Sequence, residues 1–173
     1  MRKFSTLQMV LAAMVAAVYT VLTVFLPIPQ YGEVQFRVAE CMTLLPFLFP
    51  WAAPGLVVGC FLANLLGSPF VLDWVFGTLA TAIACFLTAR APNKWLAALP
   101  PVICNAVIVG AEIAWSATGG FNGAFWAAFG PIALSVGAGE LAVCLLLGVP
   151  LLAVLPKVKA LRGVMAPSRL AVR

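Results

Sequence analysis

The sequence predicts an all-α integral membrane protein of about six transmembrane helices, and three observations carry that expectation. The 173 residues are 64% hydrophobic and only 9% charged, with a mean hydropathy of +1.12, whereas soluble chains carry roughly 25% charged residues. The apolar residues fall in long runs, and a helix needs about 20 residues to cross a ~30 Å hydrocarbon core. Most of the basic residues sit near the ends of those runs.

The first helix is expected over residues 4–26, stopped by Pro27, Ile28 and Pro29, because proline ends a helix and extends the residue before it. Arg2 and Lys3 ahead of an apolar run also suit a signal peptide. The run is long, however, and no small-residue cleavage site precedes Pro27, so a retained helix is expected. After a loop to Gln35, residues 36–66 are broken by Pro46, Pro50 and Pro54 and hold two short helices, 36–49 and 52–66. A re-entrant hairpin is the alternative for that stretch. Clearer spans follow at 71–89, 100–116 and 124–155, separated by residues 90–99 and the glycine-rich 118–123. The remainder, 156–173, is expected as a basic cytoplasmic tail on this single transmembrane domain.

Six helices with the N-terminus inside place Arg2, Lys3, Arg90, Lys94, Lys157, Lys159, Arg162, Arg169 and Arg173 on the cytoplasmic side. Only Arg37 then falls outside, as the positive-inside rule requires. Splitting the last run at Gly130 and Pro131 would put the basic tail outside, so one long helix is expected there. The net charge of +5 is thus an orientation signal, not a nucleic-acid footprint.

Other chemistries are disfavoured. The cysteines Cys41, Cys60, Cys85, Cys104 and Cys144 lie one per apolar run, without paired spacing, and read as packing residues. The chain has no histidine, which removes the commonest metal ligand and neutral-pH base. No GxxxxGK[ST] phosphate loop occurs, so ATP hydrolysis by that route is excluded.

An ionisable group in a membrane span is costly and marks a functional site by default. The candidates are Arg37 and Glu40 at the start of the second helix, Asp73 at the start of the fourth, Glu112 in the outer half of the fifth and Glu140 near the middle of the sixth. Asn105 lies seven residues before Glu112, close to two helical turns, so the two are expected on one face. A bland reading pairs Arg37 with Glu40 at i,i+3 and leaves Asp73 at a helix N-terminus. Four carboxylates against one arginine suit a ligand with cationic or multiple N–H donor groups, since an ionised carboxylate only accepts. Tyr31, Phe36, Trp74, Phe121 and Trp126 are expected chiefly as an interfacial belt. Small residues at helical spacing, Ala12, Ala13, Ala16 and Ala17 in the first helix and Gly55, Gly59, Ala63 and Gly67 in the third, predict close helix contacts.

Several stretches resemble a known family. They are Tyr31-Gly32-Glu33-Val34-Gln35-Phe36-Arg37-Val38-Ala39-Glu40, Leu44-Leu45-Pro46-Phe47, Pro54-Gly55, Gly59-Cys60 and Ala63-Asn64-Leu65-Leu66-Gly67. Further ones are Asp73 with Phe76-Gly77-Thr78-Leu79-Ala80-Thr81, Pro100-Pro101-Val102, Asn105-Ala106, and Gly137 with Gly139-Glu140, Gly148 and Pro150. Together they resemble the QueT family of queuosine-precursor transporters. The resemblance implies the substrate-specificity (S) component of an energy-coupling factor (ECF) transporter, a multi-pass protein of a prokaryotic plasma membrane. It implies uptake of a 7-deazaguanine base with a transmembrane coupling subunit and two cytoplasmic ATPases. No cofactor is expected in this chain itself. The substrate-binding set expected is Gln35, Arg37, Glu40, Asn64, Asp73, Asn105, Glu112 and Glu140. Glu140 or Glu112 would take the guanine-like edge with help from Asn105, and Glu40 or Asp73 would meet an amine. Ala12 and Ala16, or Ala13 and Ala17, would face the coupling subunit. The alternatives are an S component for another vitamin-like molecule, a self-sufficient secondary transporter and an intramembrane enzyme with paired carboxylates.

Overall fold

The computed structural model describes residues 4–32 and 35–169. Arg2, Lys3, Glu33, Val34 and Arg173, used above, lie outside the described residues. The described chain is helical, without strands. Its long helices are α1 (Thr6–Phe25), α3 (Val71–Thr88), α4 (Leu96–Thr118) and α5 (Gly123–Lys157), each long and apolar enough to cross a membrane. Two shorter apolar segments complete the bundle, a 3₁₀ helix at Val38–Phe47 and α2 at Ala52–Gly67. This is an all-α membrane protein, turned inside out relative to a soluble one. Leu134 is 76% exposed and Leu146 70%, while Arg37, Glu40, Asn64, Asp73, Asn105, Glu112 and Glu140 are all buried.

Local chemistry sets the helix ends. Ser5 and Gln8 form a reciprocal capping box at the start of α1, satisfying amides that have no partner in the helix. The Asn93 side chain accepts from the amides of Trp95 and Leu96, so α4 begins at Leu96, four residues before the expected 100. Gly119, at φ +72°, closes α4 in the left-handed conformation that glycine adopts without a Cβ penalty. Asn122 then caps α5 by accepting from the Phe125 amide.

The stretch around Pro46 is not an ordinary short helix. Val38–Phe47 winds as ten residues of 3₁₀ helix, with the Pro46 ring inside it and eight of the ten buried. At about 2.0 Å per residue against 1.5 Å for α, the tighter winding reaches further for the same length, although such long runs are uncommon. It forms the axis around which Tyr19, Leu56, Cys85 and Val149 pack.

Helices α1 and α2 run parallel and nearly touch. A Cβ added to Gly55 would run into the Ala12 carbonyl, and one added to Gly59 would lie 2.8 Å from the Ala16 carbonyl oxygen. The expected contact face on α1 is therefore half internal. Of the two alanine pairs considered for a coupling-subunit face, Ala12 and Ala16 turn inward against α2. Ala13 and Ala17 remain exposed.

The C-terminal segment to Arg169 is folded back and not a free tail. The Ala166 amide donates to the Leu48 carbonyl at 2.9 Å, and the Trp51 indole donates to the Val164 carbonyl at 2.7 Å. Arg169 donates to the Ala91 carbonyl at 2.7 Å and lies 4.1 Å over the Phe47 ring.

Gly59→Val is expected to lower the midpoint of thermal unfolding in detergent. Overpacking of this kind costs about 1–3 kcal/mol. Gly163→Ala, where an added Cβ meets nothing within 4 Å, should leave it unchanged.

Candidate functional site

Several of the polar residues buried in the bundle gather around Arg37, which enters from the extended lead into the 3₁₀ helix. One guanidinium nitrogen donates to the Asn64 side-chain oxygen, and another lies 3.8 Å from Glu40. The ring of Tyr31 sits 4.7 Å from the guanidinium carbon, and its hydroxyl donates to the Ala63 carbonyl at 2.7 Å. Arg37 is thereby fixed by an anion, an amide and an aromatic face at once.

Each partner is in turn held. Asn64 donates to the Asp73 carbonyl at 2.9 Å, which ties α2 to α3. Gly77 is required beside it, because a Cβ there would stand 2.8 Å from the Asn64 amide nitrogen. Glu40 accepts from the Tyr19 hydroxyl, and its other oxygen has no partner among the described residues. Asp73 accepts from the Ser68 hydroxyl in the turn before α3.

The four carboxylates form two pairs. Glu140 lies near Glu40, beside the side chains of Asn105 and Cys144. Glu112 lies beside Asp73, and neither of its oxygens has a hydrogen-bond partner among the described residues. It also lines a cavity of about 580 Å³ between α3 and α4, whose other walls include Phe76, Ile108 and Trp115. That volume lies within the ~300–1,000 Å³ range of small-molecule pockets.

Asn105 and Glu112 thus serve different carboxylate pairs, although seven residues should align them. The reason is a π turn at Asn105–Val109, in which the Gly110 amide bonds back to the Asn105 carbonyl. A second π turn, Cys144–Gly148, follows Glu140 on α5. Such turns are rare and often border functional sites. Gln35 is buried, and its backbone carbonyl rests against Gly139, where any Cβ would collide with it. Its side chain makes no hydrogen bond among the described residues. Of the aromatic set, Tyr31 joins the site and Phe121, though 75% exposed, lines the cavity beside Glu112, whereas Trp126 is 67% exposed. Sequence reasoning missed Tyr19, fully buried at 0%. Its signal was a phenol in the middle of an otherwise apolar α1.

The QueT transporter family matches residues 9–157, a range that contains every residue of this site. The chain belongs to the QueT transporter family. Among curated proteins it is 34% identical over 85 residues to the queuosine precursor transporter QueT of Lactococcus lactis subsp. cremoris (strain MG1363). That alignment covers 48% of this chain and 50% of the relative, so the similarity spans half of each. No solved structure matches the chain. Its buried polar cluster lies within the matched region.

Asn64→Leu is expected to lower the unfolding midpoint in detergent, since a hydrogen bond to a charged group contributes about 1.5–3 kcal/mol. Tyr19→Phe should cost a similar amount through Glu40. Cys144→Ala, which removes only a 3.8 Å thiol contact, should cost less than either.

Proposed function

We propose that this chain is the substrate-binding S component of an ECF transporter importing a queuosine precursor, a 7-deazaguanine base. The observation that carries the proposal is a surplus of buried acceptors around one cation. Arg37 is held by Glu40, Asn64 and Tyr31 and keeps one unpartnered N–H, at Nε, while both oxygens of Glu112 and one of Glu40 lack partners among the described residues. A ligand completes such a site by bringing N–H donors, preferably charged ones. A 7-deazaguanine base has adjacent N–H donors on its guanine-like edge and, in the aminomethyl and substituted-amine forms, a cationic arm. The curated relative's name points to the same cargo.

The two carboxylate pairs divide the work. Glu140, with Asn105 and Glu40, reads the guanine-like edge near the middle of the bundle. Glu112 and Asp73, beside the apolar cavity, receive the amine arm. The end carrying Arg90, Lys94, Lys157 and Arg162 faces the cytoplasm by the positive-inside rule, so the site opens towards the outside of a prokaryotic cell membrane. Energy comes from partners, a transmembrane coupling subunit and two ATPases. The exposed Ala13 and Ala17 on α1 present the close-approach face to the coupling subunit.

The test is equilibrium binding of the purified chain to the aminomethyl base, the nitrile base and queuine, with guanine as control. Tight binding of one base with guanine excluded is expected. Glu140→Gln and Glu112→Gln should each weaken it roughly ten-fold or more, the equivalent of one charged hydrogen bond. Unchanged affinity in both variants would overturn the site assignment. Ala13→Trp with Ala17→Trp should abolish uptake while binding by the isolated chain persists. Uptake at full rate without any ATPase partner would instead establish a secondary transporter.

A further inference from the structure

A second concavity, of about 770 Å³, lies at the basic end of the molecule, between the α3–α4 connection, the last turns of α5 and the folded-back C-terminal segment. Its rim carries Lys94, Lys157 and Arg162, and its floor is apolar, built from Phe47, Leu152 and Pro156. Arg162 is steadied by donating from Nε to the Pro156 carbonyl at 3.0 Å. No described acid neutralises these three cations. The described carboxylates are Glu40, Asp73, Glu112 and Glu140, all in the polar cluster, and the ion pair among the described residues is Arg37 with Glu40. Lys94 lies 5.9 Å from the centre of the Trp95 ring; of the neighbouring arginines, Arg90 is held more closely by the Phe86 carbonyl and ring, and Arg169 by carbonyls and Phe47.

Three uncompensated cations above an apolar floor call for an amphipathic anion. The groove also lies at the depth where the bilayer supplies one. The apolar spans α3, α4 and α5 begin or end here, and the adjacent Trp95 is 60% exposed, as suits a side chain at the headgroup level. We propose that this groove binds the phosphate headgroup of an anionic phospholipid, with the apolar floor taking the glycerol and the first methylenes. Basic pockets between helix ends are suited to such headgroups, and each cation near the surface strengthens the attraction about five-fold. The site is separate from the transport site and does not depend on the reading of its cargo.

The test is native mass spectrometry of the purified full-length chain titrated with phosphatidylglycerol or phosphatidylcholine. Preferential retention of phosphatidylglycerol is expected. It should be lost in the Lys94→Gln, Lys157→Gln, Arg162→Gln triple variant and kept in Arg90→Gln, a cation at the same end with its own partners. Equal retention of the two lipids by the wild-type chain would overturn the proposal without recourse to any variant. An equal loss in Arg90→Gln would reduce the effect to general surface charge. Displacement of the lipid by inorganic phosphate would mark a free-anion site instead.

Discussion

A guanidinium in the interior of a membrane protein must be surrounded or expelled, because water is not there to solvate it. A charge at the centre of a spanning helix costs about 2.5–3.5 kcal/mol by insertion scales. The bundle answers at Arg37 with three ligands drawn from three parts of the chain, Glu40, Asn64 and Tyr31. Satisfying them fixes much else. Asn64 ties α2 to the top of α3, Glu40 draws the phenol of Tyr19 in from α1, and Tyr31 hooks the α1 connection over the end of α2. The polar cluster is therefore a structural joint between α1, α2, α3 and the 3₁₀ helix.

That joint works only because the backbones around it come close. Glycine at 55 and 59 lets α2 lie on the Ala12 and Ala16 carbonyls, which brings Tyr19 within reach of Glu40. In a bilayer there is little hydrophobic gain from helix association, so close van der Waals packing of small residues has to supply it. Glycine at 139 does the same for α5 by admitting the Gln35 carbonyl. The second joint lies at the opposite end, where Arg169 and Trp51 pin the C-terminal segment across the turns. Between the two, the central 3₁₀ helix is enclosed on nearly every side.

The sequence made the helical class and the buried acids legible through one physical contrast, since charge is rare in apolar runs and conspicuous where it occurs. The Arg37–Glu40 pairing followed from i,i+3 spacing alone. Partners from distant segments did not. Nothing in the local pattern joins Asn64 to Arg37, or Glu112 to Asp73, because those meetings are made by tertiary packing. Tyr19 was hidden by its own amphipathic character, which suits a core, a belt or a site equally. Spacing showed that α1 has two flat faces but not which helix lies on either, and α2 proved to occupy the face of Ala12 and Ala16. Pro46 signalled a break without revealing that the chain would tighten into 3₁₀ winding around it.

The two π turns carry a consequence for how relatives of this chain are compared. Each holds one residue more than an α turn would between the same hydrogen-bonded groups, so each is equivalent to a one-residue insertion placed inside a helix. Residues beyond it are rotated by roughly 100° relative to an uninterrupted ladder. A relative that wound the same residues as an uninterrupted α-helix would aim its distal carboxylate elsewhere, whereas one that lacked both the extra residue and the π turn would keep the two flanks aligned. Sequence separation across such a turn is therefore no guide to which polar residues share a face, and a one-residue gap there, matched by loss of the turn, leaves both flanks in place.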